Sequence, residues 1–505
     1  MLLNKTLNVN KRSSLRQWFG LLVLMLPVLL VTVDNTILGF ALPKIASALE
    51  PSSNQQLWII DAYSLVLAGL LVSMGSIGDR VGHRALLLLG ASGFTVVSVL
   101  TAFSISPEQL IVGRAALGFF GAMLMPSTLA LISHLFEDRE QRRIAVAIWA
   151  TTLTVGSALG PVIGGILLQY FDWNSIFLLA VPILVPLLIF GPILLPESDK
   201  KSIGFIDGYS ALLSIVTMTA IVYAVKHVAS DGFGVGVIIT LSIGLITGVW
   251  FIRRQRNLPV PLMDLSLFRN GIFTGSIIAN LLSLGLLVGF IFFATQFLQI
   301  VLDIKPLLAS LALVPGQIMA IVVGMVIVPV AKRISAHWLI PILLILVGSA
   351  FFLIACLGSA LNSIIVAFVL LGAGVGAIAT VSNDLVLSAV PPSKAGAASA
   401  ISETAYEVGV VLGTTIIGGL VTAFYQINLK LPDNISQDQA RLALETLAGA
   451  YAVADSLISI EGQSLADAAA HSFTNAIHMT SWLTAGLTGV VVLISWYLFR
   501  KAKSI

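Results

Sequence analysis

Five ionisable side chains stand inside long apolar runs: Asp34, Asp61, Arg114, Glu403 and Glu407. A charge at membrane depth costs roughly 2.5–3.5 kcal/mol on insertion scales, so such groups are rare, usually face a polar cavity and usually pair. In "LLVTVDNTILGFAL" only Asp34 and Asn35 interrupt the middle of an apolar run. A carboxylate there can carry a proton or hold a cation, and the two uses exclude each other at the same oxygens. Glu403 and Glu407 in "AISETAYEVGV" have the spacing that puts two side chains on one helical face, roughly 6 Å apart. Like charges so close, away from water, cannot both ionise cheaply, so one is expected to hold a proton. Tyr406 between them could offer an aromatic face to a cation. Asp384 in "TVSNDLVLSAV" is either a further member of this set or a solvated group at a helix end.

These residues need membrane-crossing helices to hold them. The chain has 505 residues, 57% hydrophobic and 10% charged, with a mean hydropathy of +1.01. A soluble chain would carry about a quarter charged residues, so the expected class is a polytopic α-helical membrane protein. Apolar runs of about 20 residues fit helices, where barrel strands need only about 10. Fourteen runs fall near 17–42, 57–78, 86–104, 109–132, 144–170, 174–195, 206–228, 233–252, 273–301, 308–331, 338–358, 362–389, 398–425 and 475–499. With the N-terminus inside, every basic residue falls on the inner side except Lys44, Lys226, Lys305, Lys430, Arg441 and the intramembrane Arg114. That alternation obeys the positive-inside rule and places both termini in the cytoplasm. The basic segment Lys5, Lys11, Arg12 and Arg16 leads into a run too long for the core of a cleavable signal.

In this orientation Asp34 lies shortly before Leu42, Asp61 just after Leu57 and Arg114 just after Gln109. At about 1.5 Å per residue the three stand within roughly one or two helical turns in depth, in the outer half of the first six helices. Either they form a proton-handling cluster whose acidity Arg114 modulates, or Arg114 and one acid make a structural ion pair. Two acids to one arginine leave one carboxylate over, and that residue carries the functional expectation. The segment from Asp207 to Trp250, with Lys226 assigned to an outside loop, reads as an accessory helix pair free of intramembrane charge. Trp58, Tyr63, Trp149 and Tyr406 are the aromatic candidates for a cation pocket, although Trp58 and Trp173 also suit interface anchors. The one long outer loop, 426–474, alternates apolar and polar residues at near-helical spacing. It reads as one or two amphipathic helices or a hairpin on the membrane surface, or else as an irregular acidic loop with Asp433, Asp438, Glu445, Asp455, Glu461 and Asp467.

Glycine patterns add specificity. "GSIGDRVGHR" holds a tight turn between runs two and three, with Asp79 and Arg80 placed to pair with helix ends and Arg84 a further candidate for the gating loop. "GSALGPVIGG", with Gly156, Gly160, Pro161, Gly164 and Gly165, makes a kinked helix able to pack closely on a neighbour. Together with "LIVGRAALGFFGA", "WNSIFLLAVP" and "LPES", these stretches resemble the signatures of the major facilitator superfamily. The resemblance is to its fourteen-helix drug:proton antiporter family, and "VTVDNTILGFALP" with "QQLWIIDAYSLVLAG" is similar to QacA- and SmvA-type multidrug exporters. It implies that Asp34, Asp61, Glu403 and Glu407 serve protonation or cation binding, that Arg114 assists proton transfer, and that Asp79 belongs to a gating loop. The glycine run in the fifth helix implies an antiporter. His83 stands where the family usually has a second basic residue, which implies a weaker salt-bridge network in that loop. No acid occurs in "VPGQIMAIVVG", where some relatives carry one, and Gln317 is its long polar side chain.

The expected architecture is a major facilitator fold with 14 transmembrane helices. It divides into a bundle over 1–198, two inserted helices over 199–260, and a second bundle over 261–505, with the substrate path between bundles. The expected function is export of lipophilic organic cations (quaternary ammonium compounds, dyes, biguanides) in exchange for protons, by alternating access, from the bacterial cytoplasmic membrane. Asp34 or Glu407 would meet the cation first. A proton-coupled symporter and a non-transporting membrane sensor are the alternatives. No GxxxxGK[ST] loop is present, which excludes that kind of ATP-driven pump. One cysteine, Cys356, excludes an internal disulfide framework and a cysteine-based metal site. No enzyme activity, cofactor, metal or nucleic-acid partner is expected, and the protein is expected to work as a monomer in the bilayer.

Overall fold

A computed structural model describes residues 15–502 apart from 137, 198–206, 232–233, 259–260, 262, 391–394, 433–434 and 458. Lys5, Lys11, Arg12, Lys200, Lys201, Lys394, Lys503, Asp433 and the boundary expected at 198–199 lie outside the described residues. Regular structure among the described residues is helical throughout. Among the described residues, fourteen helices are long and apolar enough to cross a membrane.

The first six are α1 (Leu15–Leu49), α2 (Ser53–Val81), α3 (His83–Ala102), α4 (Pro107–Leu135), α5 (Arg139–Tyr170) and α6 (Ser175–Leu194). Next come α7 (Gly208–Asp231) and α8 (Val235–Asn257). The second set is α9 (Gly271–Val301), α10 (Pro306–Ala331), α11 (Ala336–Leu357), α12 (Leu361–Ser388) and α13 (Ala398–Asn428). Two short helices, α14 (Gln437–Glu445) and α15 (Leu447–Ser456), precede the last long one, α16 (Ser459–Ala502).

Local sequence explains where these helices start. Ser52 and Gln55 form a reciprocal capping box on α2, and Ser106 caps α4 with Pro107 in its first turn. Asp138 caps α5 and Asn270 caps α9. Each cap satisfies amide groups that the first turn leaves without helical partners. Gly82, with φ of +98°, makes the turn from α2 to α3 in a backbone conformation that other residues adopt only under strain.

Packing divides the long helices into two groups. α1 packs on α5 and α6, and α4 on α2 and α3; in the second group α10 and α11 pack on α12, α9 on α13, and α11 and α13 on α16. The seam between them is made by α5 against α10 and by α2 against α13. α7 packs on α8 and also on both α2 and α13, so the inserted pair sits across the seam. Its other end is tied by Asp207, which accepts from Arg254 Nη2 at 2.9 Å and Nε at 3.2 Å. Burial works against the Asp207 carboxylate, but its bonds to Arg254 and Ser210 outweigh this and hold its pKa below the ordinary value. The pair's contribution is therefore in place at neutral pH and fades as the pH falls through that lowered value.

Glycines set how closely these helices approach. The faces of α9 and α13 meet so tightly that a Cβ at Gly413 would lie on the backbone of Gly285. Backbone cannot swing aside as a side chain can, so Gly413→Ala is expected to cost about 1–3 kcal/mol. The check is a lower thermal midpoint of the detergent-purified protein.

The stretch after α13 is helical rather than irregular: α14 and α15 form a hairpin. Ser436 and Gln439 make a second capping box on α14, and Thr446 caps α15. The hairpin packs on α16, and α15 also touches α1. Tyr425 donates its hydroxyl to the Ala443 carbonyl at 2.9 Å, and Ser53 at the start of α2 bonds the Glu445 carbonyl. The hairpin thus closes over the end of the seam that carries the start of α2.

Candidate functional site

Asp34 and Arg114 meet as the depth estimate expects. Arg114 Nη1 donates to Asp34 Oδ2 at 2.6 Å, and Nε donates to the Ile59 carbonyl at 3.1 Å. Its guanidinium carbon stands 4.6 Å from the centre of the Tyr63 ring. Arg114 is only 1% exposed. The approach depends on Gly118, one turn further along α4, where any Cβ would strike the Tyr63 carbonyl. The sequence "GRAALG" therefore brings α4 against α2 so that Arg114 can reach past it to α1.

Asp61 corrects the expectation of a spare carboxylate. Its Oδ2 lies 2.9 Å from the Nζ of Lys226, and both side chains have no exposed surface. Lys226 does not stand in an outside loop. It belongs to α7, so the inserted pair does carry an intramembrane charge. Counting along the sequence put Lys226 at the end of an apolar run, but packing against α2 and α13 buries that turn. Asp61 Oδ2 also accepts from Thr415 Oγ1 at 3.0 Å. Thr415 lies in a π-helical turn of α13, Thr414–Gly418, and such turns, rare in helices, are often found at functional sites.

Trp58 is half-buried here, with the Lys226 ammonium 4.0 Å from its ring centre and Tyr223 6.4 Å away. Its ring thus serves a lysine of the same chain rather than an open pocket. Trp149 is also committed to an internal contact: Nε1 donates to Thr128 Oγ1 at 3.1 Å, joining α5 to α4.

Glu403, Tyr406 and Glu407 lie on α13. Glu407 is 8% exposed and accepts from Asn35 Nδ2 across the seam at 3.3 Å. No basic side chain pairs with Glu403 or Glu407 among the described residues. Asn35 thus gives the polar pair Asp34–Asn35 two directions: the acid toward α4 and the amide toward α13. Tyr406 accepts from Asn383 Nδ2 at 3.1 Å. Asn383 in turn belongs to a network with Asn280 and Ser402. Sequence reasoning passed over these amides because no charge drew attention to them. Asp384, next to Asn383, is exposed, so of its two readings the solvated one fits.

The turn between α2 and α3 places His83 beside Asp79. His83 Nε2 lies 3.1 Å from Asp79 Oδ1, within the turn itself. Gly78 makes room, since a Cβ there would strike the His83 ring. Arg84 reaches the end of α6, donating to the Leu195 carbonyl at 3.1 Å and pairing with Glu197. Arg80 is half-buried in the last turn of α2. The glycine motif of α5 faces two ways. Gly156, Gly160 and Gly164 pack on Thr32, Thr36 and Ile37 of α1, while Gly165 packs on Leu307 and Ser310 of α10. Pro161 lies within the same helix.

Comparison with known proteins bears on the family and the fold. Residues 24–414 match the family model described as Major Facilitator Superfamily. The chain is 47% identical to the multidrug efflux pump LfrA of Mycolicibacterium smegmatis, over 97% of this chain and 98% of that one. It is 31% identical to the methyl viologen resistance protein SmvA of Salmonella typhimurium, over 97% and 99%. Among solved structures, a bacterial homolog of the human lysosomal transporter Spinster, inward-facing and unoccupied, aligns with a TM-score of 0.69. That alignment covers 97% of this chain and 99% of the other, at 16% identity.

Proposed function

The chain belongs to the Major Facilitator Superfamily, and on that footing we propose that it exports lipophilic organic cations in exchange for protons. The observation that carries this reading is Glu407. It is buried at the seam between the two helix groups and bonded to a neutral amide of the opposite group, and among the described residues it makes no ion pair. A carboxylate so placed can bind either a proton or a cation, and never both at once. Asp34 and Asp61 each hold a cationic side chain already, so Glu407 rather than Asp34 is the carboxylate that meets the incoming cation.

In the proposed cycle the two bundles, 1–198 and 261–505, rock about the seam, with helices 199–260 riding on it. The bonds of Asn35 to Glu407, Asp61 to Thr415 and Phe40 to Gln299 cross the seam. All three would break when the hairpin side opens. A cation entering from the inner side would bind ionised Glu407, with Tyr406 and Glu403 one turn away or less. Protonation from the outer side would then neutralise the acid and release the cation. Asp79, His83 and Arg84 would hold the opposite end of the first bundle. The site is assigned to the bacterial cytoplasmic membrane, with both termini inside and the monomer as the working unit.

The relatives LfrA and SmvA support export as the direction, since their names describe efflux and resistance. The test uses inverted membrane vesicles loaded with a pH-sensitive dye. With an acid lumen, ethidium is expected to accumulate inside, and its addition is expected to raise the lumenal pH. Co-accumulation of solute and proton in the same direction would instead establish a symporter.

A further inference from the structure

We propose that Lys226 is a coupling residue: a cation built into the chain that occupies Asp61 in this state and competes there with the transported cations. The inference rests on the antiport reading above and adds a residue to it.

The geometry is that of a filled cation site. A carboxylate and the face of a tryptophan together are the chemistry that recognises an organic ammonium ion. Here Asp61 Oδ2 at 2.9 Å and the Trp58 ring at 4.0 Å hold the ammonium of Lys226. A bulky cation and the Lys226 ammonium cannot share this space, because the Asp61 and Lys226 side chains have no exposed surface.

Three elements converge on one oxygen atom. Asp61 comes from α2, Lys226 from α7, and Thr415 from α13, whose hydroxyl bonds the same Oδ2. α7 packs on both α2 and α13, so any motion that parts those two helices also changes what Lys226 can reach. The other titratable groups nearby are Tyr223 and His227, whose rings lie 4.1 Å apart on α7, and Tyr63 and Arg114 on the Asp34 side. Across the seam, Glu407 completes the set. Among these, Lys226 is the one whose charge lies on Asp61 itself.

Occupation by Lys226 keeps Asp61 neutralised without a proton or a drug while the seam is closed on the hairpin side. When α2 and α13 separate, the ammonium withdraws with α7 and the carboxylate becomes available. The inserted pair is then part of the transport machinery rather than a passenger beside it.

The experiment measures ethidium binding by fluorescence on the detergent-purified full-length protein. Lys226→Met and Lys226→Gln are expected to bind ethidium about tenfold more tightly, because a site blocked most of the time loses affinity by its unblocked fraction. Adding Asp61→Asn to Lys226→Met is expected to abolish that gain. Unchanged or weaker affinity in folded single variants overturns the proposal. Should neither single variant fold, the double variant Asp61→Asn with Lys226→Met decides. Export by it at wild-type rate shows a mere brace and overturns the proposal, while a folded double variant without export supports it. Wild-type export of ethidium under an imposed proton gradient is measured alongside. Its failure would remove the antiport reading, a result distinct from any behaviour of the Lys226 variants.

Discussion

Arg114→Ala is expected to be the most damaging single substitution in the first bundle. The guanidinium is almost wholly buried, bonds Asp34 at 2.6 Å and the Ile59 carbonyl at 3.1 Å, and stacks on Tyr63. Removing it leaves a buried carboxylate with no counter-charge, a change that costs about 3–5 kcal/mol when one partner of a buried pair is lost. The protein should accumulate poorly and lose its thermal transition in detergent. The double variant Arg114→Gln with Asp34→Asn removes both charges in nearly the same volume, and replacing both members of such a pair is often close to neutral. It is expected to recover most of the folded protein. Whether it also recovers ethidium export separates the two readings of this pair. Export at the wild-type rate would make it a structural tie, whereas folded but inactive protein would give it a part in proton handling.

The second large effect is expected at Glu407, and it has the opposite character. Glu407→Gln keeps the shape of the side chain, and its amide oxygen can still accept from Asn35 Nδ2. Folding and thermal midpoint should therefore stay near those of the wild type. The amide, however, neither ionises nor takes up and releases a proton near neutral pH. Export of a monovalent dye is expected to fall about tenfold or more, corresponding to the loss of at least about 1.4 kcal/mol from one charge–charge contact. The proton movement that accompanies dye addition should fall with it. A variant that exports ethidium normally, with proton movement intact, would remove Glu407 from the mechanism and direct attention to Glu403.

These two substitutions differ because their surroundings differ. Arg114 and Asp34 are each other's charge compensation, so either one alone is a folding problem. Glu407 has a neutral partner, so its charge is free to be met by something that enters from outside the protein. The same contrast sets Asp61 apart from both: its compensation comes from Lys226, on a helix packed across the seam.

Much of the architecture was legible in the sequence. Long apolar runs, separated by basic loops on one side, are dictated by the cost of leaving backbone groups unsatisfied in hydrocarbon, and that rule acts along the chain. Among the described residues, fourteen helices of membrane-crossing length follow the expected runs, and within the acidic stretch after the thirteenth the helices Gln437–Glu445 and Leu447–Ser456 form a hairpin, one of the readings open for it. Asp34 and Arg114 were also legible, because two opposite charges at matching depth have few other places to go. The glycines of α5 marked a tight contact, though not that Gly165 alone among them would turn toward α10.

What the sequence by itself determined is the set of groups that must be hidden from lipid and the depth at which each lies. Hydrophobicity, helix rise and helical periodicity are properties of one segment at a time, so residue order suffices to read them. The tertiary structure alone decided which hidden charge meets which. Lys226 is distant in sequence from Asp61 and lies near the end of its helix, where a lysine could equally reach toward water. Only the packing of α7 over α2 and α13, with a π-helical turn bringing Thr415 onto the same carboxylate, fixed it to Asp61. Pairing between helices depends on which faces the packed side chains bring together, and no single segment carries that information.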